Sequence, residues 1–259
     1  MGKRKTGALR NKETHREQTL KLDESNTFYM NESKTIDFNQ ASYRRVRRPV
    51  NIIAQSKNQQ VYLDYLNDKE KDIVVVTGPA GTGKTYLAML AAIKSLREGE
   101  CNKIILTRPA VAVDDEKHGF LPGDLNEKME PWVKPLLDVI KEFYTTKEIK
   151  HMLDEQVIEI TPLAFCRGRN FRDSWIILDE AQNATPSQLK MLMTRISFGS
   201  KIVITGDIEQ TDRKTIHNGL LDLKNRLEKV KINGIATCEF ICADIKRHKI
   251  IEHVLNLYR

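Results

Sequence analysis

From Ile73 onward the chain alternates short β-branched runs with longer stretches whose apolar residues recur at three- and four-residue spacing. That alternation predicts a parallel sheet with helices on its faces, because consecutive parallel strands need a helical crossover between them. Strands are expected at Ile73 to Thr77, Lys103 to Thr107, Val157 to Ile160, Trp175 to Asp179, Lys201 to Thr205 and Thr237 to Ile241. Helices are expected at Asn58 to Asn67, Lys84 to Glu98, Glu127 to Tyr144, Pro186 to Arg195, Ile216 to Lys229 and His248 to Leu257. Prolines 131 and 135 fall within the third of these helices and predict a kink or restart. Residues 1–48 differ: they are polar, lack apolar periodicity and end in Arg44-Arg45-Val46-Arg47-Arg48 before Pro49. This composition predicts a basic flexible arm over 1–48, followed by one α/β domain over 49–259.

The first strand runs into Gly78-Pro79-Ala80-Gly81-Thr82-Gly83-Lys84-Thr85, followed by Tyr86 and a helical pattern. Two glycines, a lysine and a hydroxyl at this spacing, on a strand-to-helix turn, form a phosphate-binding loop. Its backbone N–H groups and the positive end of the following helix suit a polyphosphate, and Lys84 is the expected contact to the β and γ oxygens. Thr85 is the expected protein ligand of magnesium.

The strand at Trp175 delivers Asp179 and Glu180 at its C-terminal end, where ligands of parallel sheets bind. Asp179 is placed to hold magnesium and Glu180 to polarise the water that attacks the γ-phosphorus, which together imply ATP hydrolysis. The Asn-Lys-x-Asp pattern of guanine recognition is absent, which favours adenine. The strand at Lys201 ends in Thr205-Gly206-Asp207-Ile208-Glu209-Gln210, and Gln210 is the expected sensor or orienter of the attacking water.

Composition narrows the setting. Of 259 residues, 42 are Lys or Arg and 35 Asp or Glu, for a formal net charge of +7, which favours an anionic partner. No apolar run approaches the roughly 20 residues of a membrane helix, and the basic start Met1-Gly2-Lys3-Arg4-Lys5 leads into polar sequence, so no membrane role and a cytoplasmic setting are expected. Cys101, Cys166, Cys238 and Cys242 lack the spacing of a zinc site and read as reduced, buried or half-buried thiols, and His151, His217 and His253 receive no role.

These motifs, with Thr107-Arg108-Pro109-Ala110-Val111, Gly119 to Leu125, Arg167-Gly168-Arg169, Ile177-Leu178-Asp179-Glu180-Ala181-Gln182-Asn183 and Thr194-Arg195-Ile196, resemble the PhoH family of P-loop ATPases over roughly residues 50 to 257. The resemblance implies a single RecA-like core akin to the first domain of superfamily-one helicases. It implies that Gln59 reads the adenine edge and that Arg247 stabilises charge on the γ-phosphate. It also implies a homo-oligomer, a hexameric ring, in which one subunit's arginine completes its neighbour's site. Val113 to His118 is more acidic than the family pattern and is assigned no role.

Arg167, Arg169 and Arg172 with Phe171 place guanidiniums and an aromatic ring within six residues, a composition suited to phosphates and base stacking. Arg108 is a further candidate for nucleic-acid contact. The sequence therefore leads to an ATP-driven protein acting on single-stranded RNA or DNA. An ATP-dependent assembly or switch protein without translocation uses the same pocket and stands as the alternative.

Overall fold

The computed structural model describes residues 49–109, 134–210 and 218–245, and the fold that follows is that of the unit Val50–Arg259. It opens with helix α1 (Lys57–Asn67), which Ser56 caps by accepting a hydrogen bond from the Gln59 N–H. Tyr62, Leu63 and Leu66 lie on its buried face. Strand β1 (Ile73–Thr77) is buried throughout and leads through the phosphate loop into α2 (Lys84–Glu98), which stops at Gly99 in the left-handed conformation. Next come β2 (Lys103–Arg108), α3 (134–141), α4 (Thr146–Asp154), β3 (Ile158–Pro162) and β4 (Ser174–Leu178). The described fold ends with α5 (Pro186–Met193), β5 (Lys201–Gly206), α6 (Gly219–Lys229) and β6 (Ile235–Glu239).

The six strands form one sheet in the order β3-β2-β4-β5-β1-β6, and every neighbouring pair is parallel. Successive side chains on a strand face opposite ways, so each strand feeds two cores. Val74, Val76, Ile104, Leu106, Ile177 and Val203 join Tyr62, Leu66, Met89, Ile93 and Ile140 on one face. Ile73, Val75, Ile105, Ile176, Leu178, Ile202 and Ile204 join Leu189, Leu192 and Leu220 on the other. Each fully buried aliphatic contributes about 1.5–3 kcal/mol. This is the α/β architecture that the sequence pattern predicts and the RecA-like P-loop core that the family resemblance implies. Among the described residues no helix is long and apolar enough to cross a membrane.

Strands β1 and β5 and helix α2 begin where the pattern predicts. Three differences have physical causes. The expected third helix does not continue to Tyr144: Glu142 and Phe143 donate to carbonyls three residues back, tightening its last turn. Thr145 then starts α4, which the apolar pattern missed, through a capping box with Glu148. The Thr-x-x-Glu signal for it stands in the sequence. β6 lies two residues earlier than expected, because its register against β1 pairs Ile73 with Ile235 and Thr77 with Glu239. The arm over 1–48, Gly119 to Leu125, Trp132, the start of the helix expected at Ile216, and the last helix with Arg247 lie outside the described residues.

β5 sits between β1 and β4, so the C-terminal ends of the strand before the phosphate loop and the strand bearing the two acids are one strand apart. That spacing positions the site. At the opposite end of the sheet, Lys201 Nζ donates to the carbonyls of Tyr65, Leu66 and Asp68, closing the C-terminal end of α1 while lying over the Trp175 ring.

Candidate nucleotide site

The phosphate loop closes over the end of β1. The Gly78 N–H donates to the Gly206 carbonyl at 3.2 Å, and Phe240 N–H donates to Thr77 at 2.7 Å, so both flanking strands anchor it. Gly78 has φ +143°, and a Cβ there would stand 2.4 Å from the Phe240 carbonyl oxygen, so only glycine fits. Lys84 is largely buried, and its Nζ donates to the carbonyls of Gly78 (2.6 Å) and Pro79 (2.8 Å). The ammonium is thus held under the loop by carbonyl oxygens, the kind of acceptor that phosphate oxygens also are.

Thr85 Oγ1 donates to Asp179 Oδ1 at 2.8 Å, and Thr205 Oγ1 donates to the same oxygen at 2.7 Å. The two hydroxyls are 3.3 Å apart. Three hard oxygens from α2, β4 and β5 thus converge, a donor set that suits magnesium. Among the described residues no three of His, Cys, Asp and Glu gather to hold a metal. Magnesium that arrives with nucleotide phosphates needs only one or two protein oxygens, so Thr85 and Asp179 fit that ion.

Glu180 follows in the left-handed region, φ 53°, a backbone state that costs a β-carbon residue about 1–3 kcal/mol. The turn aims its carboxylate into the cleft. Oε1 lies 3.4 Å from Arg108 Nη2, and Oε2 accepts from Gln182 Nε2. Gln210 lines the same cleft, whose volume is about 630 Å³ and whose walls include Gln59, Lys84, Thr85 and Asp207. Tyr86 is partly exposed at the cleft wall, together with Ala80, Gly81, Thr82 and Gly83.

Gln59 is almost fully buried. Its Oε1 accepts from the Gln55 N–H at 2.7 Å and its Nε2 donates to the Thr82 carbonyl at 3.0 Å, tying α1 to the phosphate loop. A primary amide carries two donors and two lone pairs, so these two bonds use half its capacity.

The residues read as nucleic-acid contacts separate. Arg108 lies in the nucleotide cleft against Glu180. Arg169 makes a two-pronged pair with Glu159, which also takes Lys103. Its guanidinium covers the Phe171 ring at 4.9 Å. Phe171, expected to stack on a base, is instead buried at 3% exposure beneath that guanidinium, because its apolar ring belongs to the core under α5. Arg167 and Arg172 are exposed, with Arg172 beside Asp173. The four cysteines are free, Cys242 being exposed where a buried or half-buried thiol is expected, and burial pushes the Cys238 thiol up to about 11. Thr205 and Gln182, which received no role of their own from the sequence, bond Asp179 and Glu180. Both stand beside motifs found in the sequence, but their contacts depend on strand order.

A glycine-rich loop on β1 and an acid pair on β4, set at the C-terminal edge of an all-parallel sheet, define the class: a P-loop protein with a RecA-like core. The chain belongs to the PhoH-like protein family, whose model matches residues 51–259. A PhoH-like protein of Bacillus subtilis is 46% identical over 191 residues, covering 73% of this chain and 59% of its own length. One from Synechocystis is 41% identical over 214 residues, covering 83% and 64%. Protein PhoH of Escherichia coli is 34% identical over 210 residues, covering 80% and 58%. The chain thus spans roughly three-fifths of the length of these relatives. Among solved structures, the Pif1 helicase from Candida albicans is similar at 20% identity and a TM-score of 0.39, covering 80% of this chain and 44% of that one. The SWI2/SNF2 ATPase core of Sulfolobus solfataricus, in complex with dsDNA, is similar at 14% identity and a TM-score of 0.41, covering 73% and 45%.

Proposed function

We propose that this protein binds ATP with magnesium, hydrolyses it, and couples hydrolysis to binding or remodelling single-stranded RNA or DNA. The observation that carries the reading is the convergence of Lys84, Thr85, Asp179 and Glu180 on one cleft. Lys84 leaves the carbonyls of Gly78 and Pro79 for the β and γ oxygens. Gln59, with donor and acceptor capacity remaining, meets the adenine edge. Thr85 and Asp179 would hold magnesium, which would supply positive charge against the phosphate oxygens. Glu180 accepts the proton of the attacking water, and Gln210 helps to orient that water.

The described residues form one RecA-like core, and an arginine for its γ-phosphate can come from a neighbouring subunit. We therefore propose a homo-oligomer, a hexameric ring in the cytoplasm, in which Arg247 of one subunit reaches the next subunit's γ-phosphate. Such a finger accelerates hydrolysis by about 10³–10⁵-fold. Arg167 and Arg172, both exposed, are the proposed contacts to nucleic-acid phosphates. The commitment of Arg169 to Glu159 and the burial of Phe171 favour a second reading, an ATP-dependent switch that does not translocate.

Steady-state hydrolysis by the full chain, with and without single-stranded RNA and DNA across a salt series, decides between them. Stimulation that weakens steeply with salt supports the nucleic-acid reading, since counterion release accompanies each phosphate contact. Hydrolysis that neither polymer changes supports the switch.

A further inference from the structure

Gln182 follows the acid pair by two residues and is 2% exposed, within the short helical turn Ala181–Asn183. A buried carboxamide without partners costs about 1–3 kcal/mol, so where its two ends go is informative. Its Nε2 donates to Glu180 Oε2, and its Oε1 accepts from the Asp207 backbone N–H at 3.1 Å. One side chain therefore connects the carboxylate after β4 with the loop after β5 that carries Gln210.

The space around it is built for this connection. A Cβ at Gly206 would stand 2.6 Å from Gln182 Oε1 and 2.6 Å from Leu220 Cδ2, so the absence of a side chain at 206 leaves room for the amide. Glu180 needs holding, because its left-handed backbone and its neighbours set its direction. Arg108, the partner of Oε1, is 3.4 Å away and partly exposed, whereas Gln182 donates to Oε2 from a buried position. A donor fixed in low-dielectric surroundings makes an electrostatically stronger hydrogen bond than one in water.

We infer that Gln182 is a positioning residue for hydrolysis: it fixes the Glu180 carboxylate toward the attacking water and locks that orientation to the loop of Asp207 and Gln210. The inference rests on the hydrolytic reading of the cleft. Its two halves are chemically separable. The donor half aims Glu180, and the acceptor half holds the Asp207 amide. A shift of the loop that carries Gln210, on the arrival of a γ-phosphate, is thereby transmitted to the base within the same subunit.

Two substitutions in the full chain separate the halves. Gln182→Met keeps the volume and removes both bonds, while Gln182→Glu keeps an acceptor for Asp207 but sets a carboxylate against Glu180. Both variants are expected to lose at least about tenfold in kcat with KM for ATP near wild type, as when a transition-state contact alone is lost, beside a lowered thermal midpoint from the buried groups left unpaired. Amide exchange at Asp207 should speed up in Gln182→Met and stay slow in Gln182→Glu. Wild-type kcat in either variant overturns the inference, as does a fall in kcat matched by a rise in KM. If wild type shows no turnover, the hydrolytic reading fails on its own. The loop link is then read from exchange alone, and equal Asp207 exchange in wild type and Gln182→Met overturns it.

Discussion

Thr85 Oγ1 donates to Asp179 Oδ1 at 2.8 Å, joining the first turn of α2 to the end of β4 across 94 positions of sequence. Thr205 Oγ1 donates to the same oxygen at 2.7 Å. The Asp179 carboxylate is thus fixed from two sides before any ligand enters, and the strand between β1 and β4 supplies the second hydroxyl. A bond from a hydroxyl to a charged oxygen is worth about 1.5–3 kcal/mol. Thr205→Val, which keeps the shape and removes the donor, is expected to weaken magnesium-dependent ATP binding about tenfold. Calorimetric titration with and without magnesium checks this, since binding of ATP alone should change little.

Gln59 ties the first turn of α1 to the phosphate loop through Thr82. Gln59→Ala removes that tie and the proposed adenine contact together. ATP affinity is expected to fall by about 1–2 kcal/mol, more than the affinity for inorganic triphosphate, because a buried polar group lost on one side leaves its partners unsatisfied. Competition binding with ATP, GTP and triphosphate measures the difference. Equal losses for all three would assign Gln59 to holding the loop alone.

Glu159 is held below the usual carboxylate range, first by the hydrogen bonds from Arg169 and then by Lys103, against the opposing effect of its burial. The unfolded chain binds its proton at the ordinary 4.5, so the pair contributes stability in full above that value. The contribution is lost as acidification passes down through the depressed folded value. Urea unfolding of wild type and Glu159→Gln, from neutral pH down to about pH 3, should show a shallower acid slope in the variant. Parallel slopes would contradict it.

Lys201 closes the end of α1 with three carbonyl acceptors and lies 5.6 Å from the Trp175 ring centroid. Lys201→Met keeps the aliphatic stem and leaves those carbonyls to water or to nothing. A loss of about 1–3 kcal/mol in folding stability is expected, with no change in ATP affinity, because the residue stands at the far end of the sheet from the cleft. Thermal unfolding with and without ATP checks both parts.

The loop at Gly78 to Thr85, the acid pair and the polar end of β5 were legible because each is a short local signal with chemistry in the letters themselves. β1 and α2 were legible for the same reason, since five consecutive buried β-branched or small residues precede the loop and a clear apolar stripe follows it. What escaped depends on which strands are neighbours. Thr205 meets Asp179 because β5 lies between β1 and β4, and Arg108 meets Glu180 because β2 pairs with β4. No run of residues announces that order. Phe171 reads as an exposed aromatic between arginines, yet it is buried because the chain after β3 turns back along the sheet to reach β4.

The proposed role of Glu180 as the base of an ATP-hydrolysing cleft is tested most directly by Glu180→Gln, measured for ATP binding and for turnover in one preparation. The amide keeps the size of the carboxylate but cannot take a proton, so binding should match wild type while turnover falls about 10²–10⁴-fold. Turnover at the wild-type rate with binding intact would contradict the account.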